Sequence, residues 1–331
     1  MTVLIDFRGR SVHLRPKGRK YPLLIEAIIE AGGTAKTSSI TALAAILAER
    51  GYKVLALDLD AQCNASMVFG WHHLDPGQKT IYDVILGEAR LHDAIVPARI
   101  QVGSEEVENP DDPDGEPITV PIWEAIENLD IIPSSPLLKN ADVDLTVKQS
   151  RFNWFQNEMD EYEGDHDVIL IDMRASYGRL PASTLVAFED EDIVLPAIMA
   201  GTKGNIALGK LQAELDEIRE EFRRGRAFPA RPNIGYLLLC GVPTGGNKRG
   251  NDERLAVDEV VEGEYGHLLL PQVRYSDQAQ AIYRDECPMP ILAPSSHQSK
   301  DYNEVATALG FVKREKSEGD PDRETAAVAV A

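Results

Sequence analysis

"IIEAGGTAKTSS", residues 28–39, joins an apolar run, "LLIEAII" (23–29), to a helical pattern, "KTSSITALAAILAERG" (36–51). The general phosphate-loop pattern is Gly, four residues, then Gly-Lys-Ser/Thr. Here Glu30 and Ala35 occupy its two glycine positions, while Gly32, Gly33, Lys36 and Thr37 are kept. Adjacent glycines let a backbone turn with its amides pointing inward toward an anion. A helix beginning near Lys36 adds free N–H groups and a positive dipole end. Lys36 has the reach for β- and γ-phosphates, the Thr37 hydroxyl suits Mg²⁺, and Ser38 suits an α-phosphate. The same residues also suit a plain strand–turn–helix junction with a chance lysine.

Working outward, Ile40, Leu43, Ala44 and Leu47 share one helical face, and Gly51 is a natural stop. "KVLALDLD" (53–60) then reads as a strand that delivers Asp58 and Asp60 to its carboxyl end. Ligands of open α/β sheets bind at that edge. Asp58 equally suits a helix cap. "VILIDMRASYG" (168–178) sets Asp172 behind four apolar residues, the arrangement of a carboxylate that supports a magnesium ion. Further strands are predicted over 129–135, 192–200, 234–242 and 267–273, and helices over 204–224, 251–265, 276–286 and 299–310. Near-continuous apolar strands with helical crossovers imply an α/β fold, a doubly wound, mostly parallel sheet covered on both faces.

The chain has 331 residues, 43% hydrophobic and 27% charged, with a formal net charge of −20. Length alone suggests about two domains. Three segments, however, lack the pattern of the core: the basic residues 1–20, the acidic, Pro/Gly-rich 103–117, and 313–331, which read as an extension, a solvated insertion and a disordered tail. Setting them aside leaves one continuous α/β domain over 21–312. The net charge disfavours a basic coat for nucleic acid, so any DNA contact has to be local. Cys63, Cys240 and Cys287 are isolated and odd in number, which points to a reducing, cytoplasmic setting. No apolar run approaches the roughly 20 residues of a membrane span.

The loop resembles that of the ParA-type partition ATPases, in the deviant Walker A class that includes MinD, whose motif is Lys-Gly-Gly-x-Gly/Ala-Lys-Thr-Thr/Ser. "ALDLDAQCNAS" (56–66) is similar to that family's Asp-x-Asp-Pro-Gln-x-Asn-Ala-Ser/Thr, with Ala61 for proline. "IDMRASYG" (171–178) is similar to its Asp-x-Pro-Pro-Ser-x-Gly, with Arg174 and Ala175 for the prolines. The stretch "YSDQAQAIYRDECPMPILAPSSHQSKDYNEVATAL" (275–309) also resembles ParA. The resemblance covers roughly residues 23–310. It implies a P-loop nucleoside triphosphatase fold that binds ATP and Mg²⁺, with Gly32, Gly33, Thr34, Ala35, Lys36, Thr37 and Ser38 on the phosphates. Thr37, Asp60 and Asp172 would serve the metal, and Lys36 and Asp60 the hydrolysis. The base would lie near Thr244 and Pro271–Val273.

One departure stands out. The signature lysine of that class, which crosses a dimer to the partner's phosphates, is Ala31 here. Cations supplied in trans are worth roughly 10³–10⁵ in rate in GTPases, so hydrolysis is expected to be slow. Arg174 is either a substitute cation or a surface residue. The function implied is segregation of plasmid, phage or chromosomal DNA, through ATP-dependent self-assembly, nonspecific DNA binding and a centromere-binding partner. The alternative is a non-hydrolysing nucleotide-binding scaffold or filament. Two basic runs could meet DNA: Arg219, Arg223, Arg224, Arg226 and Arg231, and the group Arg8, Arg10, Arg15, Lys17, Arg19 and Lys20. Either run also reads as an ordinary solvated face. Membrane attachment is not expected, since the C-terminal tail has no basic amphipathic helix.

Overall fold

The computed structural model describes residues 2–30, 35–108, 116–200, 204–223, 229–243 and 248–315. Its strands are β1 (Val3–Ile5), β2 (Ser11–His13), β3 (Leu23–Ala27), β4 (Val54–Leu59), β5 (Val96–Val107), β6 (Ile118–Ile132), β7 (Val168–Met173), β8 (Ile193–Val194), β9 (Ala197–Met199), β10 (Leu238–Val242) and β11 (Val273–Arg274). The α-helices are α1 (Lys36–Glu49), α2 (Asn64–Val68), α3 (Ile81–Leu86), α4 (Ala141–Val147), α5 (Trp154–Asp160), α6 (Arg179–Leu185), α7 (Gly204–Arg223), α8 (Lys248–Glu262), α9 (Ala281–Arg284), α10 (Met289–Leu292) and α11 (His297–Ala308).

Six strands form the main sheet in the order β5-β6-β4-β7-β3-β8, and three form a second in the order β11-β10-β9. Pairing is parallel throughout both, except between β5 and β6. Strands β8 and β9 are halves of one run, 192–200, interrupted at Pro196, which has no N–H for a ladder. Leu195 N–H still donates to the Glu26 carbonyl, and Leu238 N–H to the Pro196 carbonyl, so the two sheets are stitched together there. Strands β3, β4 and β7 are buried along their whole length. Their residues alternate between two cores: Leu24, Leu57 and Ile171 on one face, and Leu23, Ala56 and Leu170 on the other. Helix α1 is buried over most of its surface, wedged between the sheet and α10–α11.

Three expectations need correction. Residues 1–20 belong to the folded body: β1 and β2 make a hairpin that buries Leu4, Val12 and Leu14. Asp6 accepts hydrogen bonds from the Arg8 and Arg10 amides and the Tyr236 hydroxyl, and both guanidinium groups lie over the Tyr236 ring. The basic run is therefore largely spent on internal contacts. Residues 103–107 are not an insertion of their own but part of a long antiparallel ribbon, β5 with β6, that continues beyond the sheet. Of the Pro/Gly/Asp-rich stretch, 109–115 lie outside the described residues. Residues 267–273, expected as a strand, are mostly a 3₁₀ turn and coil: Leu269 makes an isolated parallel bridge to Leu237, and a strand forms only at Val273–Arg274. Of the expected tail, Lys313–Glu315 are described, and Arg314 donates to both oxygens of Asp167; 316–331 are outside the described residues.

The ribbon root is clamped. The Arg99 guanidinium lies 3.9 Å from the Trp71 ring centroid and 4.9 Å from that of Trp123. Between Arg99 and Lys139 the sequence has ten acidic residues and no basic one.

Candidate functional site

Strands β3, β4 and β7 end side by side, and the loops that leave them meet helix α1. The parallel register pairs Asp172 with Asp58 on one side and with Ala27 on the other. Two carboxyl groups are thus fixed at one sheet edge, beside the start of the loop. Gly32, Gly33 and Thr34 lie outside the described residues, as do Ala31 and Thr244. Helix α1 begins at Lys36, with Ala35 before it.

Lys36 is 5% exposed and its Nζ donates to the Ile29 carbonyl at 3.3 Å. Burial holds its pKa below the usual lysine value, while Asp172 and Asp60 oppose that shift. The Thr37 hydroxyl donates to Asp172 Oδ2 at 2.6 Å. Asp172 Oδ1 is buried and has no hydrogen-bond partner among the described residues. Burial pushes the Asp172 carboxyl well up, neighbouring Asp58 pushes further, and Thr37 and Lys36 partly offset both. Asp58 is also raised by burial, against the pull of its bonds from Ser66. Ser66 gives it both its amide (2.7 Å) and its hydroxyl (2.6 Å), and the Asp60 amide reaches its other oxygen at 3.2 Å. Asp58 is therefore the inner, fully bonded carboxyl that shapes the β4 exit. Asp60 faces the cavity.

That cavity, of about 540 Å³, is lined by Ala35, Lys36, Thr37, Ser38 and Asp60 on one side. Arg274, Tyr275, Ser276, Tyr283 and Gln298 line the other. Most of the expected phosphate and metal residues that are described thus converge; Asp172 reaches them through Thr37. Pro271 and Val273 do not converge. Val273 is fully buried and Pro271 borders a different groove, with Ile5 and Phe7. The next residues, Arg274–Ser276, reach the cavity instead, because the chain turns inward after the short β11.

Arg174 is corrected too. Its side chain is 15% exposed and forms an ion pair with Asp142 of α4, so it is neither a surface residue nor an unengaged cation. Asp142 also accepts from the Leu180 amide at the start of α6. Of the basic run, Arg219 pairs with Asp216 and Arg231 with Asp190. Arg224 and Arg226, and the side chain of Arg223, are outside the described residues.

Sequence reasoning assigned no role to Ser66, Ser134, Arg274 or Tyr283. Ser134 donates its amide to Ser66 Oγ and its hydroxyl to the Asp60 carbonyl, tying β6 to the Asp58–Asp60 turn. Its signal was present, a serine just past an apolar strand. Tyr283 has no comparable signal, since only the fold brings it beside residues 37–38.

Two carboxylates and a threonine hydroxyl, with one buried oxygen lacking a partner, form an all-oxygen donor set of the kind that holds Mg²⁺. The residues fit a metal–phosphate ligand.

Residues 24–108 match the protein family described as an AAA domain. The chain is 30% identical over 159 residues to the cell division protein PomZ of Myxococcus xanthus, a match covering 48% of this chain and 41% of PomZ. It is 28% identical over 165 residues to the sporulation initiation inhibitor protein Soj of Bacillus subtilis, covering 50% and 54%. The chain spans about half the length of these relatives. Apo McdA from Cyanothece superposes with a TM-score of 0.65 at 21% identity, over 87% of this chain and 99% of that one. MinD of Pyrococcus horikoshii, complexed with Mg-ADP, does so with a TM-score of 0.58 at 22% identity, over 86% and 94%. The fold is that of the ParA/MinD P-loop nucleoside triphosphatases.

Proposed function

We propose that the chain binds ATP with Mg²⁺ on residues 31–38 and acts as a ParA-like partition protein. The observation that carries the nucleotide reading is the pairing of Thr37 with Asp172, whose second oxygen is buried without a partner beside the cavity. Sequence similarity to the chromosome-partitioning ATPase Soj of Treponema pallidum, 31% identical over 164 residues, supports the partition role. When bound, magnesium would screen phosphate charge. Thr37 and Asp60 would face it and Asp172 would support it through Thr37. Lys36, desolvated and flanked by Asp172 and Asp60, would meet the outer phosphates. Asp60 would orient the attacking water. The loop amides of Gly32, Gly33, Thr34 and Ala35 would cradle the chain of phosphates. Arg274–Ser276, rather than Pro271 and Val273, would approach the base or sugar.

Self-assembly, nonspecific DNA contact through Arg219, Arg223, Arg224 and Arg226, and a centromere-binding partner complete the reading. One observation favours the second reading, a non-hydrolysing scaffold. With alanine at position 31, the cation in the neighbouring motif, Arg174, is held by Asp142.

Calorimetry tests the first step. Mg·ATP titrated into the folded protein is expected to release or absorb heat, and Lys36→Ala to weaken binding roughly 10- to 150-fold, as loss of a charged hydrogen-bonding group does. A folded wild type that gives no heat sinks the proposal. Turnover, with and without DNA, compared with Lys36→Ala then separates a slow ATPase from a scaffold.

A further inference from the structure

Beyond the main sheet, the ribbon of β5 and β6 has no layer over it. No residue of β5 after Ala98 and none of β6 before Leu129 is buried, whereas β3, β4 and β7 are buried throughout. Strand β6 pairs with β4 only over Leu129–Ile132, and β5 is the outer strand of the sheet. Both long edges of the ribbon are therefore unpaired among the described residues, and a two-stranded ribbon by itself is marginal in water. Directly opposed residues share a face. Val107, Ile118, Val120 and Ile122 thus gather on one side, where Ile122 is 41% exposed. Glu105 and Glu124 rim that side, and Glu106 stands on the other. The two edges differ. Strand β6 carries Pro121, which has no N–H to give a ladder, while β5 has no proline from Arg99 to Val107.

We propose that the β5 edge of this ribbon takes an extended, basic segment of a partner protein as a third strand. The added strand bonds to the open N–H and C=O groups along residues 99–107, as strands added to a sheet edge do. Its alternate side chains widen the apolar face, so β-branched residues suit those positions. Lysine or arginine between them meets carboxylates that the ribbon leaves to water. Charge chooses the occupant. The stretch from Arg99 to Lys139 holds ten acidic residues and no basic one between its ends. A second ribbon would set the same carboxylates against each other, and like charges oppose strand pairing. Nucleic acid and anionic membrane meet the same repulsion. A cationic strand meets attraction on both faces. The proposal does not depend on nucleotide binding.

The test uses the full chain and a synthetic peptide of alternating lysine and valine. Two further peptides serve as controls: alternating glutamate and valine, and the lysine–valine peptide N-methylated at every second residue, which keeps its charge but cannot pair along one edge. The lysine–valine peptide is expected to bind, to slow hydrogen exchange along residues 99–107, and to bind roughly tenfold more tightly than its N-methylated form. Glu105→Gln/Glu106→Gln, with an unfolding midpoint matching wild type, is expected to weaken binding roughly 2- to 30-fold, the worth of two exposed ion pairs. The proposal is overturned if the lysine–valine peptide does not bind, or if the N-methylated or glutamate peptide binds as well. It is equally overturned if the double variant binds unchanged. Sedimentation covers the remaining occupant: a wild-type dimer that Ile122→Lys dissociates would make the partner a second copy of this chain, against the proposal.

Discussion

Gly70 has φ of +76°, and a Cβ there would stand 2.7 Å from the Arg99 carbonyl and from the Trp123 ring. The residue that lets the Trp71–Arg99–Trp123 stack close is thus a glycine in the left-handed region. Gly70→Ala is expected to destabilise the fold by roughly 1–3 kcal/mol, the usual strain of such a backbone, measured by urea unfolding; an unchanged midpoint would show that the stack opens freely. Glu26 is the other residue out of keeping with its surroundings, a fully buried carboxyl on β3. It accepts from the Thr184 hydroxyl at 3.0 Å, and its Oε1 has no partner among the described residues. Burial raises its pKa to about 8, with Thr184 pulling slightly the other way. A carboxyl raised in the folded state binds its proton more tightly than the unfolded chain does. Its stabilising contribution is therefore full below its ordinary value near 4.5 and is lost as pH climbs toward 8. Glu26→Gln should flatten that fall. The variant is expected to gain roughly 1–3 kcal/mol relative to wild type between pH 6 and 8.5, read from paired denaturant curves. A parallel pair of curves would mean that Glu26 ionises without penalty.

The N-terminal hairpin is held by contacts that its own sequence does not announce. Arg19 makes a two-pronged pair with Asp192, at 2.7 and 2.8 Å, and both side chains are almost wholly buried. Asp192 also accepts the Leu24 and Glu189 amides, so it cannot follow a departing partner. Arg19→Met leaves that carboxylate buried and unpaired. It is expected to lower stability by roughly 3–5 kcal/mol, with much of the loss recovered in Arg19→Met/Asp192→Asn; urea curves of the three proteins decide it. What was legible in the sequence follows from the range of each contact. Strands β3, β4 and β7 could be read because, Glu26 apart, every residue is apolar or lies at their carboxyl-end edge, and Lys36, Thr37, Asp60 and Asp172 came with them. The hairpin could not, because its strands are three residues long and Arg8 and Arg10 rest on Tyr236, more than two hundred positions away. Tyr283 was hidden for the same reason. Residues 267–273 misled because buried coil and buried strand share one composition: Leu268 and Leu270 are as deeply placed as strand residues, yet only Val273–Arg274 pair in a ladder.

At the scale of the molecule, a ligand that binds only the folded chain stabilises all of it by mass action. Mg·ATP at a hundred times its Kd is expected to add about 2.7 kcal/mol, seen as a higher unfolding midpoint, whereas Lys36→Ala, binding roughly 10- to 150-fold more weakly, is expected to gain only about 0.3–1.4 kcal/mol at the same concentration. An equal shift in both proteins would place the binding elsewhere. The ribbon has a consequence of a different kind. Half of the formal charge of −20 falls between Arg99 and Lys139, and Glu105, Glu106, Glu124, Glu127 and Asp130 of that stretch lie on β5 and β6 at one margin of the combined sheet, whereas β10 and β11 form the opposite margin. Such lopsidedness makes the protein an electric lever. In the field of a polyanion it feels a torque that swings the ribbon outward and turns the β11 margin, with its crossover helices α7 and α8, inward. The swing weakens within about 8 Å at physiological ionic strength, so it sets the heading of the last approach rather than the strength of any grip.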